Sequence, residues 1–349
     1  MYSKEGKYHT IDPNFKPLPK YGYLSKETAK YAAEKPSFDA MWAEVWTADK
    51  VEKARSLELA LMKKLNDEIL PRQPDMDESS LEYQSRDGHA SSLRVFKTRA
   101  VADGAYDRPA TLVLTFHGGG CVVGSHESCY IECVNAARQG NVVAVSVQYR
   151  LAPEHAFPVP SNDCFDSLLW CKKNHEKLGI DPEKIIVAGA SAGGHLAASV
   201  AIQARDQGVT GIVGQMLHCP WTCLPQFLPL DKYEMGSHFQ NLDATMINYY
   251  VAVFCGDLYV PDAKPGEAHS VLLAPSHANL PPAFITIAGG DPLRDEDFAY
   301  VDVLRAAGVQ AEAYIYPGMP HVFWWFTPDH PETAQFFERY GNFIKKFCE

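Results

Sequence analysis

From Thr111 onward, short apolar blocks alternate with longer amphipathic stretches. The apolar blocks, predicted as strands, begin near Thr111, Val142, Ile185, Ile212, Ala283 and Ala311. The stretches between and after them, predicted as helices, are Ser128 to Gln139, Ser161 to Lys177, Gly194 to Arg205, Asp295 to Ala307 and Thr333 to Cys348. This alternation predicts an α/β fold with a parallel sheet, flanking helices and functional loops at the carboxyl edge of the sheet.

The amino-terminal part of the chain has a different pattern. Residues 1–24 show little apolar periodicity and are predicted to form an extended arm. A short helix is predicted at Ser25 to Lys35, and apolar residues at near-helical spacing predict a longer helical segment over Phe38 to Leu70. A chain that begins in this way is expected to place helices before the sheet.

Two further segments complete the predicted architecture. Leu81 to Gln84 and Leu93 to Thr98 lie on either side of Asp87-Gly88 and are predicted to pair as an antiparallel hairpin at the edge of the sheet. Residues 220–268, between the fourth and fifth of the apolar blocks, are long, irregular and rich in aromatic residues. We expect this segment to form an insertion that covers the carboxyl edge of the sheet.

Composition narrows the class of protein. A chain of 349 residues with 46% hydrophobic residues can bury one large core, so one enlarged domain with a smaller cap is expected. The net charge of −11 disfavours nucleic acid and anionic membranes as partners. The chain lacks an apolar run of about 18 residues, and its first residues lack the apolar core of a signal peptide, which predicts a cytoplasmic protein without a membrane span. A homodimer is compatible with the sequence.

Cofactor and metal signals are weak. The chain has no phosphate-loop or nicotinamide fingerprint, so no cofactor is predicted. Its nine cysteines are odd in number and irregular in spacing, which predicts free thiols. Cys129 with Cys133 and Cys219 with Cys223 each have a C-x3-C spacing, and His218 adjoins the second pair, but no matching pair completes a tetrahedral set. No metal is predicted.

The strongest chemical signal is Gly189-Ala190-Ser191-Ala192-Gly193. It follows the apolar block near Ile185 and precedes a predicted helix, which is the strand, tight turn and helix context of a nucleophile elbow. Small residues around the serine let the neighbouring backbone pass while the hydroxyl is exposed at the end of the sheet. Ser191 is therefore the candidate nucleophile.

A second motif lies upstream of the elbow. His117-Gly118-Gly119-Gly120 directly follows the predicted strand Thr111 to Phe116. Consecutive glycines leave backbone N–H groups unshielded, as is required to stabilise the oxyanion that forms during acyl transfer. The alternative is an ordinary glycine-rich turn.

A serine nucleophile needs a base and an acid that orients the base. Asp291 follows the apolar block Ala283 to Ala288, and His321 follows Ala311 to Tyr316, so both are expected at the carboxyl edge with Ser191. The order serine, aspartate, histidine is that of α/β-hydrolases. We predict Asp291 as the acid and His321 as the base.

Three other residues are alternatives for the acid and the base. Asp295 and Asp297 lie in the helix predicted after Asp291, where a carboxylate more often faces solvent. His195 is four residues past Ser191 on the elbow helix and is expected to pack against the sheet.

Taken together, these motifs resemble the hormone-sensitive-lipase-like esterase family over residues 80–349. The resemblance implies an eight-stranded, mostly parallel α/β-hydrolase sheet with a helical cap, and hydrolysis of a small to medium, largely apolar carboxylic ester through an acyl-enzyme. It implies a triad of Ser191, Asp291 and His321. The motifs that carry it are His117-Gly118-Gly119-Gly120, Tyr149-Arg150-Leu151-Ala152-Pro153-Glu154-His155, the elbow, Asp291-Pro292-Leu293-Arg294-Asp295 and His321.

The resemblance also implies roles for other groups. The backbone N–H groups of Gly118, Gly119 and Ala192 form the oxyanion hole, and Arg150 and Glu154 stabilise the loop beneath the site. Residues 1–80 form an arm and cap helices, and residues 81–349 the catalytic domain, with a lid insertion at about 220–268. Candidate substrate-binding residues, each with ordinary core packing as its alternative, are Trp42, Trp46, Cys121, Trp221 and Val322. Trp324 and Trp325 either line the pocket or pack behind it.

The chain departs from the family where an acidic residue usually precedes the nucleophile, because Ala190 stands there. A missing carboxylate near the glycine loop is expected to affect the efficiency and pH optimum more than the identity of the triad. Two alternatives stay open. One is a biosynthetic acyl transferase, lactonising or C–C-cleaving enzyme with the same triad, and the other is a non-catalytic small-molecule receptor, a class that lacks the histidine present here.

Overall fold

One eight-stranded sheet organises the molecule. The computed structural model describes residues 29–47, 49–70, 75–242, 244–264 and 268–348. The strands lie in the order β1-β2-β4-β3-β5-β6-β7-β8, and β2 runs antiparallel to β1 and β4 whereas all other neighbours are parallel. Their bounds are Met76–Gln84 (β1), Ala90–Thr98 (β2), Ala110–Phe116 (β3), Val142–Val147 (β4), Ile180–Ala190 (β5), Ile212–His218 (β6), Ala283–Ala288 (β7) and Ala311–Tyr316 (β8). The predicted mostly parallel sheet is confirmed.

Helices flank this sheet and precede it. β3, β4 and β7 are buried along their whole length, because a parallel sheet is covered on both faces. The helices are Ala29–Trp46 (α1), Val51–Ile69 (α2), Arg99–Ala102 (α3), Tyr130–Ala137 (α4), Val159–Lys173 (α5), His175–Leu178 (α6), Ala192–Asp206 (α7), Ser237–Gln240 (α8), Tyr249–Tyr259 (α9), Arg294–Ala306 (α10) and Pro331–Lys345 (α11). Short 3₁₀ turns lie at His126–Cys129, Pro225–Phe227, Val271–Leu273 and Phe323–Trp325.

The amino-terminal helices differ from the prediction. The predicted arm, residues 1–24, and the start of the predicted helix at Ser25 lie outside the described residues. The predicted boundary before Phe38 is wrong, since α1 continues to Trp46 and the break before α2 falls at residues 47–50. Both helices bury an apolar face, which includes Trp42 on α1 and Met62 on α2. Periodicity alone does not reveal a break when the apolar spacing continues on both sides of it.

The predicted hairpin is confirmed but longer than expected. β1 pairs with β2 from Met76 opposite Thr98 to Gln84 opposite Ala90, and Gly88 has a positive φ of 84° in the turn. After the buried Met76, residues 77–80 of β1 are polar and exposed, as an edge strand allows. The apolar pattern therefore missed them.

The 220–268 insertion contacts the amino-terminal helices. Trp46 Nε1 donates a hydrogen bond to the carbonyl of Met246 over 2.7 Å, and the Thr245 hydroxyl donates to Asp39 Oδ1 over 2.8 Å. Within the described ranges, no helix has the length and apolar character needed to cross a bilayer. All nine cysteines are free thiols, as predicted.

Arg55 fixes α2 to the body of the protein. Its guanidinium donates to the carbonyls of Val122 and Ala152 over 2.9 and 2.8 Å and forms a two-point ion pair with Glu154. The anchored loops follow β3 and β4, at the carboxyl edge of the sheet. This contact places α2 over that edge.

Candidate active site

Ser191 lies on a tight turn between β5 and α7, as its motif predicts. Its backbone has φ 58° and ψ −123°, a strained conformation for a residue with a side chain. The turn is held by hydrogen bonds from the Ser191 N–H to the His218 carbonyl (2.9 Å) and from the Trp221 N–H to the Ser191 carbonyl (3.1 Å). A Cβ on Gly193 would collide with the carbonyl of Phe116, so the helix can approach β3 this closely only with glycine.

Asp291 and His321 form a buried pair. Asp291 follows β7 and His321 follows β8, the neighbouring strand. His321 Nδ1 and Asp291 Oδ2 are 2.6 Å apart, and Asp291 Oδ1 accepts the N–H of Leu293 at 2.9 Å. This arrangement holds the proton of the neutral imidazole on Nδ1 and leaves Nε2 as the acceptor.

Ser191 and His321 line the same cavity. The Ser191 hydroxyl makes no hydrogen bond to any described residue, so its oxygen is free to rotate toward a ligand. Catalytic hydrogen bonds are often long in unliganded enzymes and tighten when substrate binds.

The rival base is not at the cavity. His195 is buried with both ring nitrogens unpaired, and its ring packs edge-on against Tyr259 at 6.0 Å. Burial lowers the pKa of His195 to about 3, so the imidazole is neutral. The expectation that His195 packs in the core is confirmed.

The rival acids do not contact His321, but the expectation that they face solvent is wrong. Asp295 accepts the N–H of Ser237 at 2.7 Å, and Asp297 is fully buried with neither oxygen hydrogen-bonded. The 220–268 insertion contacts the start of α10 through the Ser237 N–H, which helps to enclose Asp295. Burial, with the nearby charge of Asp291, raises the pKa of Asp297 well above its usual value, so this group is a neutral acid.

The loop after β3 is held by aromatic stacking and hydrogen bonds. The His117 ring stacks on Tyr149 with centroids 4.1 Å apart, its Nδ1 donates to the Gly118 carbonyl at 2.8 Å, and the Tyr149 hydroxyl donates to the His117 carbonyl at 2.7 Å. Burial lowers the pKa of His117 to about 3, which keeps the ring neutral. Gly119 has φ 109°, and a Cβ there would collide with the Val123 carbonyl.

The predicted oxyanion-hole residues lie on two neighbouring parts of the fold, the loop after β3 and the start of α7. Gly118 and Gly119 line the cavity beside Ser191. Ala192 is the first residue of α7, so its N–H has no partner within the helix and lies at the positive end of the helix dipole. β3 and β5 are neighbours in the sheet, which brings the glycine loop next to the elbow.

The cavity walls are mainly apolar and the space is narrow. The volume open to the centre of a water molecule is about 30 Å³. Four of the five candidate substrate-binding residues lie in the wall, together with residues that the motifs did not identify. The lining includes Trp42, Trp46, Trp221, Val322 and Trp325, and also Glu58, Ser128, Met246, Ile247, Val251, Ala252 and Cys255.

Cys121 does not line the cavity, contrary to its place among the candidates. It is fully buried with φ 59°, and its carbonyl accepts the N–H of Ala152 at 2.8 Å. The turn at this residue carries its side chain into the core. Cys255 of α9 occupies the cavity wall instead.

Arg150 and Glu154 make separate ion pairs beneath the site. Arg150 forms a bidentate pair with the buried Asp163, with distances of 2.7 and 2.8 Å, and also contacts Asp87. Glu154 binds Arg55 of α2. The two side chains therefore connect the loop after β4 with the hairpin, α5 and α2.

The described residues contain one cluster of three possible metal ligands, Cys219, Asp291 and His321, whose ligand atoms lie within 4.8 Å of one another. Asp291 and His321 are already joined by their hydrogen bond, and burial raises the pKa of the Cys219 thiol well above its usual value, which disfavours the thiolate. His218 is bonded to Thr286 and belongs to another part of the core. The C-x3-C spacings thus do not form metal sites in the described residues.

Glu132 of α4 holds Trp325 at the cavity wall. Its Oε1 accepts the indole N–H groups of Trp324 and Trp325 at 2.8 and 3.1 Å. Trp324 is fully buried behind the wall, whereas Trp325 lines the cavity. Burial raises the pKa of Glu132 from 4.5 to about 7, although the two indole donors oppose the shift.

We expect stability to fall as the pH rises from about 4.5 through about 7, because a carboxyl group with a raised pKa binds its proton more tightly in the folded state. Glu132→Gln keeps an acceptor for the indoles but removes the charge. Above pH 8, the variant should gain up to about 3 kcal/mol relative to the native protein. Urea unfolding between pH 5 and 9 measures this. If the free energy of unfolding varied with pH in the same way for both proteins, the prediction would be wrong. Glu338→Gln, a change at an exposed carboxylate, is the control.

Comparison with known proteins gives consistent matches. A family model described as the alpha/beta hydrolase fold matches residues 113–325. Esterase LipI of Mycobacterium tuberculosis is 36% identical over 81% of this chain and 87% of its own length. Among solved structures, a hyperthermophilic esterase from the archaeon Pyrobaculum calidifontis has a TM-score of 0.79 at 31% identity, covering 90% of this chain and 97% of that one. Vibralactone cyclase has a TM-score of 0.83 at 27% identity, with coverage of 96% and 97%.

Proposed function

Because this chain belongs to the hormone-sensitive-lipase-like esterases of the α/β-hydrolase fold and is an ester-hydrolysing enzyme, we propose that it cleaves small to medium, largely apolar carboxylic esters through an acyl-enzyme on Ser191. The observation that carries the proposal is the His321–Asp291 hydrogen bond of 2.6 Å at a cavity that Ser191 also lines. His321 is the base and Asp291 the acid that orients it.

In the first half-reaction, His321 Nε2 takes the proton of the Ser191 hydroxyl as the serine oxygen attacks the ester carbonyl. The resulting oxyanion is bound by the N–H groups of Gly118, Gly119 and Ala192. The protonated imidazole, stabilised by Asp291, then gives its proton to the departing alcohol as the ester C–O bond breaks. Ser191 is left acylated.

In the second half-reaction, His321 accepts a proton from water as the water oxygen attacks the acyl-enzyme. The same oxyanion hole stabilises the second tetrahedral intermediate. Its collapse returns the proton to the Ser191 oxygen and releases the carboxylic acid.

The cavity supports the substrate class. Indole, aliphatic and thiol side chains form most of its wall, so burial of apolar acyl or alcohol groups supplies affinity at roughly 25 cal/mol per Å². The space open to the centre of a water-sized sphere is only about 30 Å³, so the cavity is narrow. This supports a preference for short esters.

The experiment is a turnover series with p-nitrophenyl esters from acetate to decanoate, combined with intact-mass detection of an acyl or phosphonate adduct. We expect turnover that peaks at short acyl chains and an adduct on the peptide that contains Ser191. No turnover and no adduct in a folded sample would exclude the proposal. A maximum at the longest chains would exclude the small substrate.

Closure of a lactone by the same acyl-enzyme is the second candidate. It is supported by the similarity to vibralactone cyclase along 96% of this chain. In this alternative reaction, a hydroxyl of the acyl group attacks the acyl-enzyme in place of water in the second half-reaction. Product analysis of a hydroxyacyl ester distinguishes a lactone from the free hydroxy acid, and added alcohols report transfer to other acceptors. The receptor alternative is disfavoured, because the similar proteins are esterases and His321 is paired with Asp291 at the cavity.

We also propose that α1 and α2, the described helices within residues 1–80, and the insertion at about 220–268 form a cap over a catalytic domain within residues 81–349. The contacts of Trp46 with Met246 and of Asp39 with Thr245 support a cap built from both segments. A cytoplasmic location and the absence of nucleic-acid partners remain predictions.

A further inference from the structure

Glu58 is a buried carboxyl group in the wall of the active-site cavity. It lies on α2, one turn after Arg55, and its exposed fraction is 2%. The wall around it is mostly indole, aliphatic and thiol side chains. A glutamate on an amphipathic helix normally faces solvent, so its enclosure here requires an explanation.

Among the described residues, one oxygen of Glu58 has a hydrogen-bond partner and the other has none. The Ser128 hydroxyl donates to Oε1 at 2.6 Å, and the same hydroxyl accepts the N–H of Ser125 at 2.9 Å, which fixes its orientation. Oε2 has no hydrogen-bond partner among the described residues. It is not one of the unpaired oxygens sealed in the interior, unlike Oε2 of Glu132. Because Glu58 lines the cavity, this free acceptor is directed toward whatever occupies the cavity.

The charge state of Glu58 depends on its surroundings. Burial raises the pKa of Glu58 from 4.5 to about 7, the hydrogen bond from Ser128 opposes this, and the negative charge of Glu127 adds to it. Glu127 is itself paired with Arg94. Among the described residues of the cavity wall, the ionisable side chains are Glu58, Cys255 and His321. A cation in the cavity would favour the ionised carboxylate.

We propose that Glu58 binds a hydrogen-bond donor on the substrate, so that the enzyme selects esters that carry a hydroxyl or a protonated amine over those that carry a methyl group at the same position. This inference rests on the proposed function of Ser191. Oε2 accepts the donor, and Ser128 holds the carboxyl group in place. The indole side chains of Trp42 and Trp46 also line the cavity and supply apolar contact for the carbon chain that bears the donor.

The test uses two series of matched esters, because the acyl or the alcohol part can be the one that meets Glu58. The acyl series consists of the ethyl esters of heptanoic, ω-hydroxyhexanoic and ω-aminohexanoic acids. The alcohol series consists of the butyrate esters of pentanol, butanediol and aminobutanol. Initial rates of acid release give kcat/KM for each ester with the full-length native protein, Glu58→Gln and Glu58→Met.

In at least one series, we expect the native protein to prefer the amine over the methyl ester by about tenfold or more at pH 8. Glu58→Gln keeps an acceptor but no charge, so the amine preference should fall by about tenfold while part of the hydroxyl preference remains. Glu58→Met should remove both preferences. Between pH 8 and pH 6 the amine-to-methyl ratio should decline as Glu58 becomes protonated. The chemical steps at Ser191 are the same for both esters, so a pH effect on those steps cancels in the ratio.

Glu127→Gln is the matched control, since Glu127 is the neighbouring carboxylate and does not line the cavity. It should leave the ratios at pH 8 within about twofold of the native values. Equal kcat/KM for the three end groups in both series would overturn the role of Glu58, as would native ratios in Glu58→Met. If no ester is turned over in a Ser191-dependent way, the proposed function itself fails, and this inference fails with it.

Discussion

Replacement of Ser191 by alanine is expected to lower kcat for p-nitrophenyl butyrate by at least about 10⁴-fold, because no other group can form the acyl-enzyme. The loss should appear in kcat and kcat/KM, whereas the oxyanion N–H groups and the cavity wall remain able to bind the ester. Alanine also lacks the hydroxyl on which a phosphonate adduct forms. Steady-state rates and intact mass of the same preparations measure both effects.

The control for this variant is Ser199→Ala. Ser199 is a buried serine of the same helix, α7, and its hydroxyl is hydrogen-bonded to that of Ser161 rather than facing the cavity. We expect this variant to retain turnover within about threefold of the native protein. Retention of more than a few per cent of activity by Ser191→Ala in a preparation free of native enzyme would refute Ser191 as the nucleophile.

Replacement of Asp291 by asparagine is expected to lower kcat by about 10³- to 10⁴-fold with little change in the fold. An asparagine is nearly the same size but does not stabilise the imidazolium. Its amide can also donate to Nδ1, which would place the imidazole proton on Nε2 and leave no base toward Ser191. The measurement is kcat against pH for the variant and the native enzyme.

Asp297→Asn is the matched control. Asp297 is buried near Asp291 but is already a neutral acid, because burial and the charge of Asp291 raise its pKa. An asparagine mimics that neutral form, so turnover should stay within about tenfold of the native value. If Asp297→Asn were the severely impaired variant and Asp291→Asn remained active, the assignment of the acid would be wrong.

The main residues of the candidate site could be predicted from the sequence, because each of them is marked by a local pattern. The glycine loop, Ser191, Asp291 and His321 each follow a short apolar block, and the carboxyl ends of parallel strands lie at one edge of a sheet. These groups come together at the carboxyl edge of the sheet if the strands are parallel and if β3 lies next to β5. The observed strand order provides this, and it brings β7 next to β8 as well.

Other features depended on which segments cover one another. Asp297 occupies a helix position where a solvent-facing carboxylate is expected, yet it is fully buried. Glu58 lies on the amphipathic helix α2 and is in the cavity wall because α2 docks over the sheet edge. Cys121 follows the glycine loop directly, but its backbone turn carries it away from the cavity.

The sequence by itself therefore determined the fold class, the eight strands and the triad candidates of this protein. The tertiary structure alone decided the break between α1 and α2, the burial of Asp297 and the presence of Glu58 in the cavity wall. The physical reason is that hydrophobic periodicity reports which face of an element is buried, whereas the partner that buries it is set by contacts between residues far apart in the chain. Arg55 with Glu154 and Trp46 with Met246 are such contacts, and they position the cap.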